Sequence, residues 1–423
     1  MKTIALRLYG KRDLRLESFE LPELKDDEIL AEIVTDSVCM SSYKAALLGP
    51  EHERVPDDVH ERPTIIGHEF AGIIRKTGKK WADRYKPGMK FTIQPALNYK
   101  GTLWAPGYSF QYIGGMATYV IIPSCVMEMN CLLIYEGDGF FKASLSEPMS
   151  CIIGACHAQY HSSGVDYTHS MGIVSGGNSA IIGGAGPMGL GFIDYLVHGP
   201  VRPGLLVVTD VDEARLKRAS EIISPAEALS CGVTLKYINT AVVHDVAEYL
   251  LRFTDMKGYD DVFVLVANEK VVELADALLA KDGCLNFFAG PTKADFSARI
   301  NLYRVHYRQT HIVGTSGGKA SDMKEALDLI SANVINPSAM ITHIGGITCG
   351  RETILNLPSI PGGKKLIYTH YDLPLTAIAD FHKLGKGNQF FAGLAEICTR
   401  HNGLWNVEAE HYLLEHAPQY VVK

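Results

Sequence analysis

No Cys-x-x-Cys pair occurs anywhere in the 423 residues, no run of lysine and arginine stands out, and no apolar stretch of membrane-spanning length is free of glycine. Each absence excludes something. Without close cysteine pairs, a structural zinc knuckle has no ligand set at its usual spacing. Without a basic tract, and with 40 Lys plus Arg against 47 Asp plus Glu for a net charge of -7, no electrostatic track exists for a phosphate backbone, and nucleic acid is not an expected partner. The charge-free stretch 172–193 is rich in glycine, each costing a helix roughly 1 kcal/mol, so no membrane helix is expected there. The first two dozen residues are charged every few positions and lack the apolar core of a secretion signal. Nine cysteines, an odd number at irregular spacing, do not form a disulfide framework and point to a reducing, cytoplasmic compartment. There is no internal repeat and no low-complexity segment.

What is present is a chain that is 47% hydrophobic and too long for one ordinary core, so more than one domain is expected. Up to about residue 125, short alternating runs ("TIALRLYG", "ILAEIVTDSV", "FAGIIRKTG", "MATYVIIPS") are separated by Pro, Gly and charged loops, the pattern of a mostly antiparallel β domain. From Ser179 the rhythm changes to buried strands ("LLVVTD", "DDVFVLVA", "GCLNFFAG") alternating with helical segments. That alternation predicts a doubly wound parallel sheet of the α/β class.

Within the second region, Gly184, Gly186 and Gly189 form G-x-G-x-x-G between the strand "AIIG" and a helix starting near Pro187 and Met188. The first glycine permits the tight turn, the second lets a pyrophosphate approach the backbone, and the third packs helix on strand. The helix N-terminus then favours the anion. The strand "LLVVTD" ends in Asp210, 21 residues beyond Gly189, where a carboxylate accepts hydrogen bonds from adenosine ribose hydroxyls and repels a 2′-phosphate. NAD is therefore expected over NADP, with Arg215 softening the preference. An ordinary reading of Asp210 is the N-cap of the helix that follows.

Three further places carry metal-ligating residue types. "SVCMSSYK" puts Cys39 at the end of a strand run with Ser41 two residues on, "PTIIGHEFAG" puts His68 beside Glu69, and "SLSEPMSC" puts Glu147 before Pro148 at the start of an expected helix. Thiolate, imidazole and carboxylate are a plausible zinc set with a fourth position left for water or substrate. Each also has a plain structural reading: a core thiol, a hydrogen-bonded turn histidine and a helix N-terminal acid.

The ordered combination C-x-S, G-H-E-x-x-G, E-P-x-S-C and G-x-G-P-x-G resembles the zinc-dependent medium-chain alcohol and polyol dehydrogenase family over residues 1 to about 370. The resemblance implies a GroES-like, mostly β catalytic domain at 1–163, a Rossmann domain at 164–335, a return to the catalytic domain at 336–370, and a helical C-terminal extension at 371–423. It further implies that Cys39, His68 and Glu147 hold a catalytic zinc, that Glu69 approaches the metal during ligand exchange, and that Ser41 relays a proton. Residues 91–117 contain none of the four cysteines that hold a second zinc in many members, so one zinc per subunit is expected. The relay departs from the common pattern at Ser42 and at Lys44, which stands where a histidine often ends the chain of proton transfer. A homo-oligomer, dimer or tetramer, is implied as well.

The whole-length pattern, tail included, most resembles the L-sorbose 1-phosphate reductase branch, which implies a polyol or sugar phosphate of the L-sorbose 1-phosphate and glucitol 6-phosphate type. Lys44, Arg62, Lys364 and Lys365 are the cations considered for its phosphate. A threonine-type or simple alcohol dehydrogenase of the same family, or a non-catalytic nucleotide-binding relative, are the alternative readings.

Overall fold

A computed structural model describes residues 1–162 and 164–421. The expected boundary at residue 163 and the last two residues of the expected extension lie outside the described residues. The chain forms two compact units, Met1–Glu147 together with Ile341–Lys423, and Pro148–Met340.

The first unit is built on an eight-stranded sheet with Ile29–Val38 near its middle. That strand's last six residues are all buried, as a strand with neighbours on both edges requires. One edge carries Phe70–Thr77, antiparallel, with Asp36 opposite Phe70. The other is shared by Tyr119–Ile122, antiparallel along residues 29–32, and by Lys364–Tyr368, antiparallel, with Lys365 opposite Val38 and Tyr368 opposite Thr35. Two stretches of chain far apart in sequence thus flank the end of one strand. A three-stranded sheet of Asp13–Glu20, Lys2–Gly10 and Thr64–Ile65 completes the β structure that the alternating runs predict.

The C-terminal extension is helical and belongs to this unit. Helices Phe381–Gly385, Gln389–Arg400 and Val407–His416 bury Phe381, Phe391, Trp405 and Leu413 in one apolar cluster with Phe141, Leu145 and Tyr368. Helix Phe140–Ala158 starts earlier than the sequence suggests. The sequence puts Glu147 at a helix start because Pro148 follows it, a residue favoured in a first helical turn. Instead both lie inside the helix, two turns from its beginning. Proline lacks the N–H that would bond the carbonyl of Ser144.

The second unit holds a six-stranded, all-parallel sheet in the order Thr234–Asn239, Leu205–Asp210, Asn178–Ile182, Tyr259–Val264, Leu279–Phe287, His311–Gly314. Numbered within the sheet this is 3-2-1-4-5-6, the doubly wound Rossmann order. All six residues of Leu205–Asp210 are buried, as expected where helices cover both faces of a parallel sheet. Among the described residues no helix is long and apolar enough to cross a membrane, and all nine cysteines are free.

Candidate metal centre and dinucleotide loop

Strand Ile29–Val38 delivers Asp36 and Ser37, and the chain then turns at Cys39, which precedes helix Met40–Leu48 in extended conformation. Cys39 accepts backbone bonds from Ser42 and Tyr43 N–H, which fixes the thiol at the strand end. Ser41 Oγ lies 3.7 Å from Cys39 Sγ, and Ser42 Oγ lies 3.2 Å from His68 Nδ1. His68 and Glu69 follow Gly67, whose φ of +98° places it in the left-handed region. A Cβ there would stand 2.5 Å from Asp36 Oδ2 and 2.9 Å from the Met116 amide nitrogen. Only glycine lets the chain turn so close to the strand.

The cysteine sulfur, a histidine nitrogen and a carboxylate oxygen of Cys39, His68 and Glu69 all lie within 4.8 Å of one another. Glu69 is buried and tied down on several sides. Its backbone N–H donates to Asp36 Oδ1 at 3.1 Å, its carbonyl accepts from Ser37 N–H at 2.8 Å and from Ser144 Oγ at 2.5 Å. Its carboxylate accepts from Ser37 Oγ and from Lys364 Nζ on both oxygens, 2.6 Å at Oε2. Tyr108, from the cysteine-free segment 91–117, puts its hydroxyl 3.3 Å from His68 Nε2. Glu147 is buried beside the group and interacts electrostatically with His68, Glu69 and Cys39.

The electrostatics follow from burying several acidic groups together. Burial, then the charge of Glu69, raises the Glu147 carboxyl to about 7, and the same two causes raise the Cys39 thiol and lift Asp36 well above the carboxylate range. Burial lowers His68, favouring the neutral imidazole that can ligate a metal. Burial works against the Lys364 ammonium, yet the carboxylate of Glu69 and its neighbours carry the net shift upward. Burial thus biases the thiol and the Glu147 carboxyl toward their protonated forms beside the Glu69–Lys364 pair. A divalent cation among them favours the deprotonated, ligating forms. Sulfur, nitrogen and oxygen donors within this span fit zinc.

The sequence-level candidates do not all come together. Cys39, Ser41, His68, Glu69 and Glu147 share the pocket, and Lys44 stands half-buried on the same short helix, with burial lowering its pKa. Lys364 and Lys365, considered for a phosphate, are turned inward. Lys364 is held by Glu69, and Lys365 Nζ donates to the carbonyls of Ile360, Pro361 and Gly363 at 3.2, 3.0 and 2.6 Å. Arg62 is exposed and pairs with Asp58 at 3.6 Å. Sequence reasoning missed Tyr108, Asp36 and Arg54. The Arg54 guanidinium carbon lies 5.4 Å from the centre of the Tyr108 ring, and no carboxylate among the described residues pairs with it. Its signal in the sequence was only a charged residue near "GHE".

In the second unit, Asn178–Ile182 leads through the glycine turn into helix Pro187–His198, with Pro187 in its first turn, Gly186 as N-cap and Met188 against the core. A Cβ on Gly189 would lie 1.9 Å from the Gly184 carbonyl oxygen, whereas one on Gly186 would meet nothing within 4 Å. The third glycine therefore serves packing, and the second leaves open space above the helix N-terminus. Asp210 Oδ2 accepts from Ala185 N–H at 3.0 Å, and Oδ1 from Val211 and Asp212 N–H at 2.8 and 3.2 Å. The N-cap of the next helix, Glu213–Ile222, is Asp212 rather than Asp210. Arg215 is drawn to that cap, 3.4 Å from the Asp212 carboxylate.

Two family models match the chain: an alcohol dehydrogenase GroES-like domain over residues 25–130 and a zinc-binding dehydrogenase over residues 203–332. Mannitol-1-phosphate 5-dehydrogenase of Aliivibrio fischeri is 50% identical over 414 residues, covering 98% of each chain. L-sorbose 1-phosphate reductase of Klebsiella pneumoniae is 50% identical over 416 residues, again 98% of each. Among solved structures, 2R,3R-butanediol dehydrogenase from Bacillus subtilis shares the fold at 18% identity with a TM-score of 0.70, covering 86% of this chain and 99% of that one.

Proposed function

The chain belongs to the zinc-binding alcohol dehydrogenase family, and from that premise we propose that it moves hydride between a nicotinamide cofactor and the secondary alcohol or ketone of a phosphorylated polyol or ketose. The observation that carries this reading is the buried set of Cys39, His68 and Glu69 donors with Glu147 beside it. Cys39, His68 and Glu147 would hold one zinc, while Glu69, resting on Lys364 and Ser37, would approach it during ligand exchange. Zinc supplies Lewis acidity at the substrate's hydroxyl or carbonyl oxygen, and the nicotinamide supplies the hydride acceptor or donor.

The protein's own residues do the rest. Ser42 orients the His68 ring through Nδ1, the kind of support that fixes a ligand's tautomer. Ser41, adjacent to Cys39 and the Tyr108 hydroxyl, accepts the proton leaving the substrate hydroxyl and passes it toward Lys44, one turn along the helix. Lowered by burial, Lys44 exchanges that proton more readily than a solvated lysine. Asp210, already anchoring Ala185 N–H, is placed to accept from ribose hydroxyls, which supports NAD, with NADP as the alternative.

The phosphate is read by Arg54. Among the described residues no carboxylate competes for it, and its contact with Tyr108, which reaches His68, supports a position near the candidate centre. Losing one charge-assisted bond of about 1.5–3 kcal/mol corresponds to roughly a 10- to 150-fold change. Arg54→Met is therefore expected to raise KM for a hexitol phosphate by about that factor and to leave KM for the free hexitol within about threefold. A screen of hexitol phosphates, free polyols, threonine and short alcohols tests the assignment. Equal kcat/KM for sorbitol and its phosphate rejects the phosphate, and preference for threonine or a short alcohol moves the chain to the other readings.

A homo-oligomer is part of the same proposal. Leu302, Tyr303 and Tyr307 on helix Leu302–Arg308, and Ile312 on the sheet's edge strand His311–Gly314, are exposed apolar groups on one unit, and an edge with such residues is open to pairing. A monomer by sedimentation equilibrium rejects this element. Free cysteines throughout support the cytoplasm as compartment.

A further inference from the structure

The C-terminal extension contains one buried carboxyl that the reaction as proposed does not use. Glu410, in helix Val407–His416, is fully buried. Its Oε2 accepts from the backbone N–H of Phe140 at 2.6 Å, and its Oε1 accepts from the N–H of Phe141 at 2.9 Å and from the Tyr368 hydroxyl at 2.9 Å. Phe140 and Phe141 open the helix that carries Ser144 and Glu147. The first amides of a helix have no partner within it, and the preceding Gly139 has no side chain to cap them. The cap comes instead from the far end of the sequence.

Tyr368 closes the strand that begins with Lys364, and its hydroxyl accepts from Trp405 Nε1 at 2.9 Å. One carboxyl therefore grips the outer end of two elements whose other residues reach the candidate centre: the helix bearing Glu147 and the strand bearing the cation on Glu69. The helix is also fastened nearer the site, since Ser144 Oγ donates to the Glu69 carbonyl at 2.5 Å. Rotation or slippage of its first turn would move Ser144 and Glu147 together, because a helix transmits such shifts as a rigid rod over two turns.

We propose that the C-terminal extension is a brace for the metal centre, with Glu410 as a positioning residue that sets where Glu147 stands relative to Cys39 and His68. This rests on the reading of those three as zinc ligands. If instead the extension only fills a core, any equal loss of packing in it must affect the centre equally.

The test compares Glu410→Gln, which keeps the side chain's size but replaces an oxygen acceptor with an amide donor, with Leu413→Ala, which opens a cavity in the same helix and leaves the three bonds in place. Zinc affinity is measured by chelator competition, and the visible absorption of the cobalt-substituted protein reports ligand geometry. Glu410→Gln is expected to weaken zinc binding about 10- to 100-fold, the range for loss of an outer partner of a metal ligand, and to shift the cobalt bands. Leu413→Ala is expected to stay within about threefold with unchanged bands. Equal effects of the two variants, or wild-type affinity and spectrum in Glu410→Gln, overturn the brace.

Should Glu410→Gln fail to fold, Tyr368→Phe removes one of the three bonds with the rings still packed. A shifted cobalt spectrum then supports the brace, and an unchanged one overturns it. The two readings fail separately. A wild-type chain that binds no zinc, or a Cys39→Ala chain that binds it as tightly, rejects the ligand set itself. Tight zinc in the wild type with no response to Glu410 rejects only the brace.

Discussion

Replacing Lys364 by Met tests the charge arrangement of the centre directly. The Lys364 and Glu69 side chains are 6% and 1% exposed and in direct ion-pair contact, so the substitution strands a buried carboxylate with Ser37 Oγ as its remaining side-chain donor. Removing one partner of a buried pair costs about 3–5 kcal/mol, and the metal-free protein is expected to lose about that much. With zinc bound, positive charge stands again within reach of Glu69, whose donor oxygen lies inside the 4.8 Å cluster, so the loss should fall to about half, roughly 2 kcal/mol. The thermodynamic cycle then requires zinc to bind Lys364→Met more tightly by about 2 kcal/mol, or about 30-fold. Urea unfolding of the metal-free and zinc-loaded forms gives the two losses, and chelator competition gives the affinity independently. Weaker zinc binding in the variant, or a metal-free loss below about 1 kcal/mol, refutes the reasoning.

Metal analysis is expected to find about one zinc per chain, with turnover lost on chelation, restored by zinc, and abolished by Cys39→Ala while cofactor binding persists; two tightly held zincs contradict the absence of cysteine from residues 91–117. Asp210→Ala removes both the ribose acceptor and the anchor of Ala185 N–H, and should weaken NAD by roughly tenfold or more and relax discrimination against NADP; a wild type that already prefers NADP overturns the assignment. Glu410 supplies a pH signature: burial raises its carboxyl from the ordinary 4.5 to about 7, so its contribution is fully present below pH 4.5 and is lost as pH rises through 7. The stability difference between wild type and Glu410→Gln should therefore shrink by up to about 3 kcal/mol between pH 4.5 and 8, and a difference that grows with pH contradicts the shift.

The parts of this molecule that were legible from sequence are those fixed by nearby residues. The glycine turn reads correctly because its strand, loop and helix lie within about twenty consecutive positions, 178–198, and Gly189 is dictated by the Gly184 carbonyl five residues away. Cys39 at a strand end and the "GHE" turn are equally local. Lys364 was illegible for the opposite reason. In sequence it follows Pro-Gly-Gly and looks like a solvated turn lysine. It is buried because Lys364–Tyr368 pairs with Ile29–Val38, a contact spanning most of the chain, and its partner Glu69 comes from yet another strand's approach. In sequence Glu410 is one residue of a helical tail, and nothing local says that it caps a helix beginning at Phe140. A charged residue within an otherwise apolar strand or helix face, as with Asp36 in "IVTDSV", was the one available hint.

Charge accounting explains why the two cations near this centre cannot exchange roles. With zinc bound by a thiolate, a neutral imidazole and one carboxylate, the ligand set is close to neutral, and the Glu69 and Lys364 pair is neutral by itself. Asp36, lifted by burial and by Glu69, favours its uncharged form. The pocket is thus balanced only while Lys364 remains on Glu69. A lysine drawn away toward a substrate phosphate would leave a second buried anion beside the metal, at a cost of several kcal/mol, more than one charge-assisted bond to phosphate returns. The proposed substrate phosphate would therefore be met by a cation whose departure strands nothing. Arg54, in contact with Tyr108 and paired with no carboxylate among the described residues, satisfies that condition, and Lys364 does not.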